Sequence, residues 1–105
     1  MKKLKFMLDY QSEPIWLYDE KNEMIGPGIP EELVNDHEFV SLINDIMEEY
    51  DNLFENNKIN FEYHGFTDAK KKRLFVKKLT TAIKMLKRKV GDKYVITVDR
   101  ELFDI

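Results

Sequence analysis

Residues 70–89 read KKKRLFVKKLTTAIKMLKRK and contain ten Lys or Arg and no acidic residue. Residues 30–57 read PEELVNDHEFVSLINDIMEEYDNLFENN and contain nine acidic residues and no Lys or Arg. We call them the basic segment and the acidic segment. The net charge of −3 is therefore an average over two stretches of opposite sign. This segregation restricts how the two segments can pack and which surfaces a partner can use.

Both segments have the periodicity of an amphipathic helix, with apolar residues at three- and four-residue steps. In the acidic segment these residues are Phe39, Leu42, Ile43, Ile46, Met47, Tyr50, Leu53 and Phe54. In the basic segment they are Phe75, Leu79, Ala82, Ile83, Leu86 and Val90. Asn35 or Asp36 can cap the start of the first helix, which should end at residues 56–57. Thr67 can cap the start of the second helix, and Gly91 suits its end. We therefore expect two long helices, each with one face turned to a core.

Alternation of apolar and polar residues marks the strands. The predicted strands cover residues 3–9, 15–18, 24–25, 59–64 and 94–98. Turn residues separate the first three, which read as an antiparallel meander. The order β-β-β-α-β-α-β predicts a single α+β domain over residues 1–105. Its expected architecture is a two-layer sandwich, in which a mixed β-sheet with an N-terminal antiparallel meander carries both long helices on one face.

The same order predicts the direction of the helices. A strand–helix–strand unit over residues 59–98 makes its two strands parallel neighbours with a right-handed crossover. The two long helices then run parallel to each other, which places residues 70–72 beside the acids at the start of the first helix. Residues 87–89 then lie beside Asp51 and Glu55. We expect these charges to orient the helices more than to stabilise them, because an exposed pair contributes only about 0–1 kcal/mol.

Composition argues against several classes of protein. The chain has no Cys, so a disulfide framework, a thiolate metal site and a thiol nucleophile are all ruled out. Lys5 and Asp9 interrupt the apolar residues near the N-terminus, unlike a signal peptide. No apolar run approaches the roughly 20 residues that span a bilayer. We therefore expect a soluble cytoplasmic protein that does not act at a membrane.

Catalytic and cofactor-binding motifs are also missing from the sequence. The two histidines, His37 and His64, form neither an HxxxH nor an HExxH pattern. The two serines, Ser12 and Ser41, are not part of a G-x-S-x-G motif. Four glycines do not form a phosphate-binding loop. We expect a non-enzymatic protein with neither a metal nor another cofactor.

Two surfaces are candidates for binding a protein partner. On the strand 15–18, Trp16 and Tyr18 lie on one face and Ile15 and Leu17 on the other, so helices on one side of the sheet leave one pair exposed. Large aromatic residues are frequent interface anchors, for another protein or for a second copy of this chain. The acidic helix offers the second surface. Its outward carboxylates are Asp45, Glu48, Asp51 and Glu55.

These features predict a protein–protein interaction or regulatory module. Small acidic one-domain proteins without catalytic motifs include toxin-neutralising immunity proteins, an analogy of size and charge. An acidic helix face could mask a basic partner such as a nuclease. The alternative is a module that binds the nucleic-acid backbone through a stripe of cations on the basic helix: Arg73, Lys77, Lys84 and Arg88. The overall acidity of the chain makes nucleic acid the less favoured ligand.

Overall fold

The structure is a computed structural model that describes residues 1–56 and 61–105, with the side chains at positions 55, 56 and 61 outside the description. Six strands and two helices have the following bounds: β1 Lys2–Phe6, β2 Ile15–Tyr18, β3 Met24–Pro27, α1 His37–Asp51, β4 Phe54–Asn56, β5 Phe61–Tyr63, α2 Ala69–Val90 and β6 Tyr94–Val98. A 3-10 turn, Glu31–Leu33, precedes α1. The predicted order of strands and helices is confirmed, with the short strand β4 added.

The main sheet has four strands in the order β3-β2-β1-β6. Strand β1 pairs antiparallel with β2, opposing Leu4 to Leu17 and Phe6 to Ile15, and β2 pairs antiparallel with β3. Strand β6 is parallel to β1, with Leu4 opposite Ile96. The sheet is therefore mixed, and its first three strands form the predicted meander. Because paired residues share a face, Leu4, Phe6 and Ile15 all point to the same side.

That side of the sheet carries both helices and the core. Leu4, Phe6 and Ile15 are fully buried, and they form one cluster with the apolar faces of the helices. The buried helix residues are Phe39, Ile43, Ile46, Phe75, Leu79, Ala82, Ile83, Met85, Leu86 and Val90. All six residues of the predicted α2 stripe are among them. The predicted two-layer α+β architecture is thereby confirmed.

The segment between the helices folds differently from the prediction. Helix α1 ends at Asp51, so Phe54 and Glu55 belong to a strand and not to the helix. Strand β4 pairs antiparallel with β5 in a separate two-stranded sheet, with Phe54 opposite Tyr63. The predicted strand 59–64 is therefore not a neighbour of β6, although residues 59 and 60 lie outside the described residues. Two adjacent apolar residues such as Leu53 and Phe54 fit a helix end and a strand equally well, which explains the error.

The predicted parallel arrangement of the helices is also wrong. Lys89, at the end of α2, forms an ion pair with Asp36, the N-cap of α1. Lys78, halfway along α2, pairs with Glu49 near the end of α1, with 2.9 Å between Nζ and Oε1. These two ion pairs show that the helices run antiparallel. The cause is the pairing of β4 with β5, which returns the chain to the end of α1 before α2 begins. This direction suits both helix dipoles, which favour an acid at an N-terminus and a cation at a C-terminus.

The Asp36–Lys89 pair gives stability a pH dependence. The ammonium of Lys89, followed by the Phe39 N–H, lowers the pKa of Asp36 below its ordinary 3.8. A carboxyl group whose pKa is lower in the folded state stabilises that state at pH values above its ordinary pKa. This contribution is lost as pH falls through the folded-state pKa. Asp36→Asn, which keeps a capping side chain, should lower the melting temperature slightly at pH 7. The difference from wild type should shrink as pH falls below 3.8 and vanish once pH lies below the folded-state pKa of Asp36, as followed by circular dichroism.

The matched control is Asp45→Asn, which removes a carboxylate that has no hydrogen bond within residues 1–56 and 61–105. This variant should melt at the wild-type temperature at both pH values. A deficit of Asp36→Asn that stays constant between pH 7 and pH 3 would show that the carboxylate charge contributes nothing to the helix contact.

Candidate functional site

The acids of α1 and the turn before it divide into inward and outward sets. Asp36 and Glu49 are engaged by lysines of α2, and Glu32 accepts a hydrogen bond from the Tyr94 hydroxyl at 2.9 Å. Burial and this bond raise the pKa of Tyr94 to about 12. The backbone N–H of Glu32 and the Tyr94 hydroxyl lower the pKa of the Glu32 carboxyl. Part of the acidic segment is therefore used to hold the fold together.

The outward set begins with Asp45 and Glu48. Both are exposed and, at 100° per residue, lie opposite Ile43 and Ile46, which are fully buried. Neither carboxylate has an ion pair or hydrogen bond in the part of the chain that the structure describes. We call the exposed surface around Asp45 and Glu48 the acidic helix face. It is free to meet a partner.

The other two carboxylates predicted for this face are placed differently. Asp51 lies at the flank of the last turn of α1, where its Oδ1 accepts a hydrogen bond from the Gln11 N–H at 2.9 Å. It thereby fixes the turn after β1, in which Gln11 has a φ of 54°. Glu55 is in β4, and its side chain lies outside the description. The prediction that it extends the helical face is wrong, because the helix ends four residues earlier.

The predicted cation stripe lies on the outer side of α2. Its four members, Arg73, Lys77, Lys84 and Arg88, are exposed. No ion pair with the described residues engages them. Since both helices cover the same side of the sheet, the outer surface of the helical layer has one acidic half and one basic half. The two halves lie side by side in antiparallel and not in the predicted parallel direction.

The outer face of the main sheet carries the predicted aromatic pair. The register sets Trp16 between Lys5 and Pro27, and sets Tyr18 opposite Lys3. The Lys3 Nζ lies 4.9 Å from the centre of the Tyr18 ring, a cation–π contact. Both aromatic side chains are half-buried rather than exposed. The aromatic pair is therefore partly accessible and partly covered.

The two apolar residues after β6 differ in burial. Leu102 is buried in the core cluster on the helical side of the sheet, and Phe103 is 43% exposed. The indole Nε1 of Trp16 is buried and has no hydrogen-bond partner among the described residues. An unpaired buried donor costs about 1–3 kcal/mol, so this side chain is held by packing and not by a polar bond.

A further surface was not foreseen from the sequence. A cavity of about 200 Å³ opens beside the end of α1, and acidic and aromatic residues surround it. Its lining residues are Leu8, Tyr50, Tyr63, Asp99, Glu101, Leu102, Asp104 and Ile105. They come from four separate parts of the chain, which only the tertiary fold brings together. The one local signal of this aromatic cluster in the sequence was that Tyr50 and Phe54 are four residues apart. The helical prediction assigned both residues to the core stripe.

The residues within 1–56 and 61–105 contain no group of three or more His, Cys, Asp or Glu arranged to hold a metal ion. In that same part of the chain, no helix has the length and apolar character required to cross a bilayer.

Exposed charges of both signs on the helical layer of this small α+β domain suit contact with a charged protein partner. The family described as Serratia CdiI immunity protein-like matches residues 2–101. The chain therefore belongs to this family, which supports an inhibitor-like role in protein interaction. No curated protein matches the chain.

Proposed function

We propose that this protein is an immunity protein that neutralises a toxin in the cytoplasm by binding it directly, without catalysis. The observation that carries the proposal is the family match, which spans residues 2–101 of the 105-residue chain. Binding of this kind requires only a surface that complements the toxin. The acidic helix face supplies such a surface.

The partner that suits this face is a toxin with a basic surface, such as a nuclease. Asp45 and Glu48 are exposed on a rigid helix and are not neutralised within the described part of the chain. Carboxylates in this position attract a basic surface at long range and raise the association rate. They also occupy the groups with which a nuclease would hold phosphates. Blocking the substrate site is therefore the proposed mode of inhibition.

The alternative ligand is the nucleic-acid backbone, favoured by one observation. Arg73, Lys77, Lys84 and Arg88 are exposed along one line of α2 and lack ion pairs with described residues. Such a stripe can follow phosphates, and binding through it falls steeply as salt rises. The net charge of −3 opposes this mode at long range.

The test is capture followed by co-expression. The tagged chain should retain one discrete protein from the lysate of its native host after nuclease treatment. That protein should arrest growth when it is expressed alone and should be tolerated when this chain is co-expressed. Recovery of nucleic acid that disappears with nuclease or at high salt would favour the cation stripe instead. A captured protein that is harmless alone would contradict the immunity role.

A further inference from the structure

The cavity beside α1 lies where the parallel strands of the main sheet end. Strands β1 and β6 are parallel, so the residues that follow them emerge at the same edge of the sheet. The Asp99 N–H donates to the Phe6 carbonyl at 2.9 Å, and the Leu102 N–H donates to the Asp99 carbonyl at 3.1 Å. Leu102 is 2% exposed and anchors this turn in the core. The residues after β6 are thus held in a defined position.

Aromatic rings form the opposite wall. The ring centres of Tyr50 and Tyr63 are 6.3 Å apart, and Phe54 contacts both rings at 5.3 and 4.9 Å. Tyr10 packs on Phe54 at 4.7 Å. Tyr50 and Tyr63 line the cavity, and Phe54 and Tyr10 support them through these ring contacts. Because packed rings restrict one another, Tyr50 and Tyr63 are held in defined positions beside the cavity.

The cavity is also strongly acidic. Asp99, Glu101 and Asp104 line it, and no Lys or Arg does so among the described residues. Burial raises the pKa of Tyr50, and the nearby charges of Asp9 and Asp51 raise it further. Carboxylates therefore act on this site from the cavity rim and from the end of α1.

We propose that the cavity receives one basic side chain of the toxin, an arginine or a lysine. This inference rests on the proposed function and names the anchor within the same interface. Aromatic faces and carboxylates together suit a cation, because the rings attract it and the carboxylates accept its hydrogen bonds. A volume of about 200 Å³ is below the roughly 300–1,000 Å³ of small-molecule pockets, as expected for a site that takes a single side chain.

The cavity adjoins the acidic helix face, which allows one partner to contact both. Asp51 is three residues beyond Glu48 on α1, and its charge acts on Tyr50 in the cavity wall. It also binds the Gln11 N–H, next to Tyr10 of the aromatic cluster. The toxin would therefore meet a continuous acidic surface with one recess in it. Recessed and well-packed contacts of this kind are where binding energy concentrates.

The first test uses acetyl-arginine amide as the probe and needs no toxin. In nuclear magnetic resonance titrations, shifts should be confined to residues around the cavity, whereas acetyl-glutamine amide should cause none. Glu101→Gln/Asp104→Asn, which changes two exposed residues, should weaken probe binding about tenfold. The control Asp45→Asn/Glu48→Gln removes the same charge elsewhere and should bind as wild type. Equal weakening in both variants, or no cavity shifts, would overturn the inference.

The second test measures affinity for the captured toxin and separates the two proposals. The variant Glu101→Gln/Asp104→Asn should bind the toxin at least about tenfold more weakly than wild type. The nuclear magnetic resonance spectrum of the free variant should match that of wild type away from the two substitutions. If its affinity is unchanged, the cavity is not part of the interface and only this inference fails. If the wild-type chain itself binds no toxin, both the proposed function and this inference are wrong.

Discussion

Replacing Asp45 and Glu48 together by lysine should weaken binding to the captured toxin by at least about a hundredfold. Close charge pairs across an interface couple by roughly 1.5–7 kcal/mol each, and about 2.7 kcal/mol is a hundredfold in affinity. Reversal replaces attraction with repulsion at two exposed positions on one face of α1. Calorimetric titration at low and raised salt checks both the size of the effect and its electrostatic origin, since salt should reduce the difference.

Two matched variants show whether the acidic helix face is the contact. Arg73→Glu/Lys77→Glu/Lys84→Glu also reverses exposed charges, but on α2, and should bind the toxin with nearly the wild-type affinity. Trp16→Ala changes the other predicted contact, the outer face of the sheet, and should also bind normally if it remains folded. If Trp16→Ala alone loses binding while the lysine variant retains it, the aromatic face is the interface and the electrostatic account is wrong.

The largest expected loss of stability comes from Phe6→Ala. Phe6 is fully buried in β1, which pairs with both β2 and β6, so the cavity left behind cannot be filled by shifting an edge strand. Truncating a buried Phe costs about 3–5 kcal/mol, out of a total stability of about 5–15 kcal/mol for a typical domain. Urea denaturation should therefore show a large fall in the midpoint.

Phe103→Ala is the control for that experiment. Phe103 is the same residue type but is 43% exposed, and its truncation should change stability by about 0.5 kcal/mol or less. Equal losses in the two variants would contradict the placement of the core on the helical side of β1.

Residues with a clear period were predicted well, because each element buries one face. The alternation of Leu4 and Phe6 and the stripe from Phe75 to Val90 both reappear as buried surface. The N-caps of the helices differ by one residue at most, since Asp36 caps α1 as predicted and Asp68, not Thr67, accepts the first N–H groups of α2. Such features depend on local spacing, which the sequence displays directly.

The direction of α2 and the existence of the cavity could not be predicted, because both depend on tertiary contacts. The spacing of apolar residues along the sequence does not reveal such contacts. The residues after Asp51 could continue the helix or begin a hairpin, and packing of Phe54 on Tyr63 and Tyr10 accompanies the hairpin. That choice reverses α2 and so decides which acids of α1 meet lysines. Asp36 and Glu49 meet them, while Asp45 and Glu48 remain outward. The candidate site was therefore only partly visible in the sequence.

The central claim is that this chain inhibits a toxin by stoichiometric binding. Its most direct test is to titrate the purified toxin with the purified chain and follow the toxin's activity. We expect activity to fall linearly and to reach its end point at one chain per toxin. Complete inactivation by far less than one equivalent would indicate catalysis, and full activity in excess chain would exclude inhibition. Either result would contradict the account.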